Sequence, residues 1–336
     1  MAYYATNRFN YWGQLGILTA FCGAGLVIGG LASMIPLMGK ANFFNLKGVS
    51  ATQIMDSILK PENATALRWS QFIATVGIFF LPAFLYARVC HIKAYKHLGF
   101  KKELDLKQVL VVLFIMLSAL PIVGALGQFT EMLPWSKATL IQFKEAEDTY
   151  NKQVAVIARM NDFSDYIISI IVIALLPALF EEILFRGAIQ NLLSRWFKKP
   201  VLAIILTAII FSAVHGSYLG FLSRFALGFL LGWVFYRTGN IWLNIIGHFA
   251  NNALGVTSLY IASKPGEKIN PSSIDEHFPL WAVLLGVAVL VGLLILFDKV
   301  AKKSIDRAGE EVLIPGYNFN NPFMNEIESK ANKDQS

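Results

Sequence analysis

Two adjacent carboxylates, Glu181 and Glu182, stand at the end of a long apolar stretch, and Arg186 follows four residues after the second. Between Tyr166 and Gly266 these glutamates are the only acidic residues. A charge inside an apolar helix is costly unless it is paired or hydrated, so such residues are candidates for function. The acidic pair is therefore the first place in this chain to look for chemistry.

The spacing around the pair separates the two glutamates by role. Glu182 and Arg186 are four residues apart with the acid first, the favourable order for an ion pair within one helix. Glu181 then projects about 100° away from Glu182. A carboxylate that is free in this way can take a proton from water as a general base. We expect Glu182 to be structural and Glu181 to do the chemistry.

One of two histidines in apolar stretches is expected to approach the acidic pair from a neighbouring helix. If the helix carrying Glu182 turns back at 198–200, Glu182 lies 17 residues before Lys199 and His215 lies 16 residues after it. At 1.5 Å per residue, each is about 25 Å from the turn. The two side chains are then at the same height on facing helices.

The other such histidine, His248, stands four residues before Asn252, so both share one helix face. Histidine can bind a metal or donate a hydrogen bond, and an asparagine amide can donate to a developing oxyanion. Each residue also has a purely structural interpretation as a packing contact between helices. Two acids, two histidines and an asparagine in three apolar stretches favour a site.

The composition indicates that membrane helices position these residues. The chain of 336 residues is 55% hydrophobic and 15% charged, whereas a soluble domain has about 25% charged residues. Its apolar blocks of about 20 residues match the ~30 Å hydrocarbon core of a bilayer. We predict an all-α polytopic membrane protein with about eight transmembrane helices enclosing an intramembrane polar cavity. The predicted spans are 14–38, 69–88, 108–130, 165–196, 200–217, 220–236, 241–262 and 278–297.

The loops predict the orientation of the chain in the membrane. The loop after the second span is the most basic, with Arg88, Lys93, Lys96, Lys101, Lys102 and Lys107. Basic loops face the cytoplasm, so eight spans place both termini there. The loop at 131–163 is richer in acids, as an outer loop can be. The net charge of +7 follows from the same bias and does not indicate nucleic acid.

Four regions follow from these spans: 1–164 with helices one to three, 165–262 as a catalytic core of helices four to seven, 263–297 with an outer loop and helix eight, and 298–336 as a polar cytoplasmic tail. In the first span, Gly25 and Gly29 have the spacing that lets two membrane helices approach closely. Cys22 and Cys90 give neither a disulfide framework nor a metal spacing.

Three motifs occur in order in three separate spans. They are Glu181-Glu182-Ile183-Leu184-Phe185-Arg186, Phe211-Ser212-Ala213-Val214-His215 and His248-Phe249-Ala250-Asn251-Asn252. Together they resemble the motifs of the CAAX-processing and bacteriocin-processing (CPBP, or Abi) family of intramembrane proteases. The resemblance covers about residues 165–262, roughly a third of the chain. It implies an eight-helix membrane endopeptidase whose catalytic cavity lies within the bilayer and opens toward the cytoplasm.

The resemblance also implies roles for the residues of these motifs. Glu181 would activate the attacking water, and His215 would position that water or a metal. His248 and Asn252 would stabilise the oxyanion. Glu182 and Arg186 would hold the local helix geometry, and Phe211 would pack beside the site.

A divalent metal, with zinc favoured, is an open question at this stage. Glu181, His215 and His248 can form a three-ligand zinc site with one open position. The chain has no His-Glu-xx-His sequence, which argues against a zincin-like site.

The expected substrate is a peptide or membrane-protein segment at the lipid bilayer. The resemblance suggests lipidated (prenylated) tails for some members and leader-type peptides for others. Two alternatives stay open: a non-catalytic immunity or scaffold protein of the same fold, and a proton-coupled transporter that uses the same ionisable residues as a relay.

Overall fold

The computed structural model describes residues 9–38, 40, 50–91, 93–262 and 278–308. The regular elements within these ranges are helices, which confirms the all-α prediction. They are α1 (Tyr11–Ser33), α2 (Ala51–Ile58), α3 (Pro61–Cys90), α4 (Ala94–His97), α5 (Leu106–Met132), α6 (Lys137–Ile157), α7 (Phe163–Phe197), α8 (Pro200–Ala213), α9 (Phe221–Thr238), α10 (Ile241–Ala262) and α11 (Leu280–Ala308).

Each of the eight predicted spans coincides with one of these helices. Five helices of the described chain, α1, α3, α5, α7 and α11, are long and apolar enough to cross a membrane. Helix α8 is apolar but shorter, with 14 residues. Helices α9 and α10 carry the polar side chains of the middle of the bundle, including Arg224, His248 and Asn252. This architecture is that of a polytopic membrane protein.

Helices α7 and α8 form the predicted antiparallel hairpin. Helix α7 continues well past the acidic pair and ends at Phe197. Lys198 then adopts a left-handed backbone with φ 54°, and Pro200 occupies the first turn of α8. Proline suits that position, since its fixed φ is helical and the missing N–H would have no partner there. The chain therefore reverses where the sequence predicted.

Wide π-helical turns interrupt the two long helices that approach the site. In α3 the turn Val76–Phe80 precedes Pro82, and in α7 the turn Ile170–Leu175 precedes Pro177. Proline cannot donate a hydrogen bond and clashes with the preceding turn, and local π geometry lets a membrane helix continue past it. A third π turn, Ile183–Gln190, begins directly after the acidic pair.

Glycines bring α1 and α3 into close contact. A Cβ atom built on Gly29 would lie 2.9 Å from the Cα of Gly77, and one on Gly25 would lie 2.6 Å from the carbonyl oxygen of Gly77. No larger residue fits at this crossing without moving a helix. The packing role predicted for Gly25 and Gly29 is consistent with this contact.

Two apolar clusters hold the site helices on opposite sides. One cluster joins α1, α3 and α4 to α7 and includes Tyr86, Ile183 and Phe235. The other joins α5 and α11 to α9 and α10 and includes Ile115 and Phe297. Helices α7 to α10 thus lie between two packed layers.

The stretch predicted as the outer loop 131–163 contains a helix of 21 residues, α6. Ser136 caps its start by accepting a hydrogen bond from the backbone N–H of Thr139. At its end, Arg68 of α3 donates to the carbonyl oxygens of Ile157 and Arg159. These contacts fix α6 against the bundle.

Two predicted segments fall partly or wholly outside the description. The outer loop lies at 263–277 and most of the tail at 309–336, and both lie outside the described residues. Helix α11 extends to Ala308, past the predicted end of the last span at 297.

Candidate active site

The second glutamate forms the ion pair that its spacing predicted. Arg186 Nη1 lies 2.7 Å from Glu182 Oε1, and both side chains are completely buried. Arg186 also donates through Nη2 to the carbonyl oxygen of Gly228 on α9, at 3.0 Å. The pair therefore fixes α7 internally and ties it to α9.

Glu182 also binds a histidine from a third helix, which the sequence did not predict. His248 Nδ1 of α10 lies 2.8 Å from Glu182 Oε1, the oxygen that also contacts Arg186. Because a carboxylate accepts, Nδ1 donates and the lone pair of a neutral His248 is on Nε2. That Nε2 lies 4.0 Å from Glu181 Oε2. Glu182 thus fixes the histidine that faces Glu181.

His215 is held in the same way from the end of α8. Its Nδ1 lies 2.7 Å from the carbonyl oxygen of Phe211, which can only accept a hydrogen bond. The lone pair of neutral His215 is therefore also on Nε2, 3.9 Å from Glu181 Oε2. This contact confirms that the hairpin brings His215 to the height of the acidic pair.

Phe211 packs between the functional groups of the site. Its ring meets the ring of His215 edge-on at 4.9 Å and that of His248 at 5.9 Å, between centroids. The guanidinium carbon of Arg186 lies 4.9 Å from the centroid of the Phe211 ring. An aromatic ring in this place limits the rotation of both imidazoles, in agreement with the packing role expected for it.

Glu181 lies at the edge of a cavity of about 420 Å³. This volume holds about a dozen waters at the ~30 Å³ that each occupies in the liquid. The polar part of the wall includes Glu181, Arg224, His215, His248, Asn251 and Asn252. Glu181 is 7% exposed, and its Oε2 has no hydrogen-bond partner among the described residues. A buried acceptor of this kind requires a donor that enters from the cavity.

The amide expected to support an oxyanion also lies on this wall. Asn252 Oδ1 is 3.4 Å from Nδ2 of the neighbouring Asn251 and accepts from it. The Nδ2 group of Asn252 is then left to donate toward a ligand. All six predicted site residues, Glu181, Glu182, Arg186, His215, His248 and Asn252, thus lie in one region, and their catalytic roles stay predictions.

The cavity also includes residues that the sequence did not single out. Arg224 lines the cavity with its guanidinium over the ring of Tyr150, 5.5 Å from the centroid. Tyr150 and Gln153 come from α6, and Gln71 comes from α3. They lie outside the three motifs, and only the amphipathic character of α6 could have drawn attention to two of them.

The predicted zinc ligands have suitable donor atoms but a wide spacing. Two ligands of a tetrahedral zinc ion lie about 3.3 Å apart when each is ~2.0 Å from the metal. The Glu181 oxygen lies 3.9 and 4.0 Å from the two imidazole nitrogens. No group of three potential ligands in the described part of the chain meets the geometry of a metal site. A zinc ion would require these side chains to move closer, and zinc binding stays a prediction.

A comparison with known proteins finds a family match that covers this same region. Residues 163–254 match the family model "Type II CAAX prenyl endopeptidase Rce1-like". The chain is also 31% identical over 112 residues to a protein of Bacillus subtilis strain 168 described as "Uncharacterized protein YpbD". That alignment covers 32% of this chain and 52% of the relative, so the chain spans about half the length of the curated relative it matches. No solved structure gives a significant match.

The matched segment contains all three motifs and the helices that bring them together, α7 to α10. This segment is therefore similar to the Rce1-like family of type II CAAX prenyl endopeptidases, in agreement with the resemblance of its motifs.

Proposed function

We propose that this protein is an intramembrane endopeptidase that hydrolyses a peptide bond of a membrane-associated protein or peptide, with water activated by Glu181. The observation that carries the proposal is the approach of three atoms at the cavity wall. Glu181 Oε2 lies within 4.0 Å of Nε2 of His215 and of His248. Glu181 Oε2 and the Nε2 atom of a neutral His215 are both hydrogen-bond acceptors.

A water molecule can donate to these two acceptors without rearrangement of the side chains. A water at the usual ~2.8 Å from each of two acceptors bridges a separation of about 4 Å. Glu181 would take one proton from this water as its oxygen attacks the scissile carbonyl carbon. His215 would orient the water through Nε2. Glu181 would then return the proton to the leaving amine, so the carboxylate is regenerated after each cleavage.

The oxyanion of the tetrahedral intermediate would face Asn252 Nδ2. For His248 the contact with Glu182 sets a condition: its Nδ1–H is already engaged, so it can donate to an oxyanion only when Nε2 also carries a proton. A protonated His248 would balance the local charge, because Glu181 and Glu182 are opposed by Arg186 alone at close range. We therefore propose that His248 acts as an imidazolium held by Glu182.

Zinc is the alternative source of activation at the same position. Glu181, His215 and His248 would hold it, and it would supply a Lewis acid and an activated water. The proton-accepting role of Glu181 would then be replaced by a ligand role. The chelator measurement in the Discussion separates the two mechanisms.

Cleavage of a quenched peptide library by the purified protein in lipid tests the proposal. We expect cleavage by the wild type and a loss of at least about 10²-fold in Glu181→Gln, the usual size of a general-base contribution. Glu145→Gln, at an exposed position of α6, is the matched control and should cleave normally. A folded Glu181→Gln variant that still cleaves at the wild-type rate would contradict the role of Glu181 as base.

A further inference from the structure

Contacts between loops define one basic end of the molecule. Lys101 Nζ donates to the carbonyl oxygen of Thr238 at 2.7 Å, which joins the loop after α3 to the end of α9. Arg237 pairs with Asp298 of α11 at 2.7 Å. The end of α7 meets the same loop, since its Asn191 donates to a backbone carbonyl there. The basic residues gathered at this end include Arg88, Lys93, Lys96, Lys101, Lys102, Lys107, Arg195, Lys198, Lys199, Arg237 and Lys299.

A second set of contacts defines the opposite end. Arg68 near the start of α3 pairs with Asp165 at the start of α7, at 2.9 Å. Ser217, after α8, donates to Glu147 of α6. This second end carries eight acidic residues, Asp56, Glu62, Glu131, Glu145, Glu147, Asp148, Asp162 and Asp165, and eight basic residues, Lys40, Lys60, Arg68, Lys137, Lys144, Lys152, Arg159 and Arg224, so its charges balance. The two ends of the bundle therefore differ clearly in charge.

The cavity extends from the acidic pair toward the second end, away from the basic end. On α7 the lining residues Ile173 and Pro177 precede Glu181, on the side of the helix start. On α10 the lining continues from His248 through Val256 to Leu259, toward the helix end. Helix α6 of the second end closes over it with Tyr150 and three further residues. No residue of the described basic-end loops lines it.

Basic loops of membrane proteins are retained in the cytoplasm. The geometry points to a catalytic cavity that faces the extracytoplasmic side of the membrane, so that its substrates are outward-facing segments of membrane proteins or exported peptides. The inference rests on the proposed function for the nature of the reaction. It differs from the cytoplasmic opening that the family resemblance implied: with the basic end in the cytoplasm, a cytoplasmic prenylated tail does not reach Glu181.

The orientation of the two ends is tested by cysteine labelling, which does not depend on catalysis. Asp148→Cys on α6 and Lys102→Cys in the basic loop are both at exposed positions. Each is introduced into a chain with Cys22→Ser and Cys90→Ala, and intact cells are treated with a membrane-impermeant maleimide. We expect labelling of the Asp148 variant only, with the Lys102 variant labelled after permeabilisation. The reverse pattern overturns the inference.

Access to the site is tested with a quenched peptide that the purified protein cleaves in lipid, made impermeant by charged flanking residues. We expect right-side-out vesicles to cleave this peptide and inside-out vesicles not to cleave it. Vesicles with the Glu181→Gln variant measure the background cleavage by other proteases. Cleavage by inside-out vesicles alone overturns the inference but keeps the protease. Absence of cleavage even after detergent is added contradicts the proposed protease, and the cysteine labels then decide the orientation alone.

Discussion

Glu182 Oε1 accepts hydrogen bonds from both Arg186 Nη1, at 2.7 Å, and His248 Nδ1, at 2.8 Å. One carboxylate oxygen thus joins a cation of its own helix to an imidazole of α10. The neighbouring Glu181 has neither contact and faces the cavity. The two adjacent glutamates therefore have different surroundings because they lie on different faces of one helix.

This difference predicts unequal effects of the two glutamates on stability. Glu182→Ala leaves Arg186 buried without its counter-ion, which costs about 3–5 kcal/mol. Glu181→Gln removes no buried ion pair and should change the free energy of unfolding by less than about 1 kcal/mol. Denaturant unfolding in detergent micelles measures both values. Equal losses in the two variants would contradict the separation of roles.

The hydrogen bond to Glu182 predicts how His248 responds to substitution. His248→Asn can keep a donor near the position of Nδ1 but has no atom at the position of Nε2. We expect it to keep most of the stability while losing about 10²-fold or more in kcat, in the range of lost oxyanion donors. His248→Leu should lose both. Thermal unfolding and steady-state cleavage of one peptide separate the two properties, and a fully active His248→Asn would exclude a role for Nε2.

Chelation separates water activation from zinc activation. The 3.9 and 4.0 Å separations around Glu181 suit a bridging water better than a tetrahedral ion. We therefore expect cleavage to survive treatment with a strong chelator followed by buffer exchange. Zinc content measured on the same sample is the control. Activity that is lost on chelation and returned by zinc alone would establish the metal mechanism.

The glycine crossing of α1 and α3 predicts a position that does not accept a methyl group. A Cβ atom on Gly77 would lie 2.6 Å from the Cα of Gly29, so Gly77→Ala must move a helix. Such overpacking costs about 1–3 kcal/mol. Gly30→Ala is the matched control, since its Cβ would meet nothing within 4 Å. Unfolding measurements should find the control close to wild type, and equal losses would contradict a tight crossing.

Local spacing predicted the parts of the site that lie on one helix or in one hairpin. The Glu182–Arg186 pair follows from four-residue spacing, and the position of His215 follows from counting residues to the turn at 198–200. The contact of Glu182 with His248 joins residues 66 positions apart. Its formation depends on how α10 rotates against α7, which the packing of both helices determines.

The positions of the long helices could also be predicted from the sequence, but some details of the fold could not. Apolar block length predicted where the helices lie because the bilayer fixes that length. Helix α6 was missed because its mixed polar composition reads as a loop and its stability comes from contacts with other helices, such as those of Arg68. The π turns were missed because prolines in the sequence indicate an interruption but not how the helix accommodates it.

The hairpin of α7 and α8 makes the distance along the chain between Glu181 and His215 a functional quantity. One residue inserted in either helical arm between them would turn His215 by about 100° and shift it by about 1.5 Å relative to the carboxylate. Side chains on the outer surface of this hairpin can change with little effect, whereas the number of residues cannot. We therefore expect this stretch of the chain to accept substitutions on its outer surface and to reject insertions and deletions.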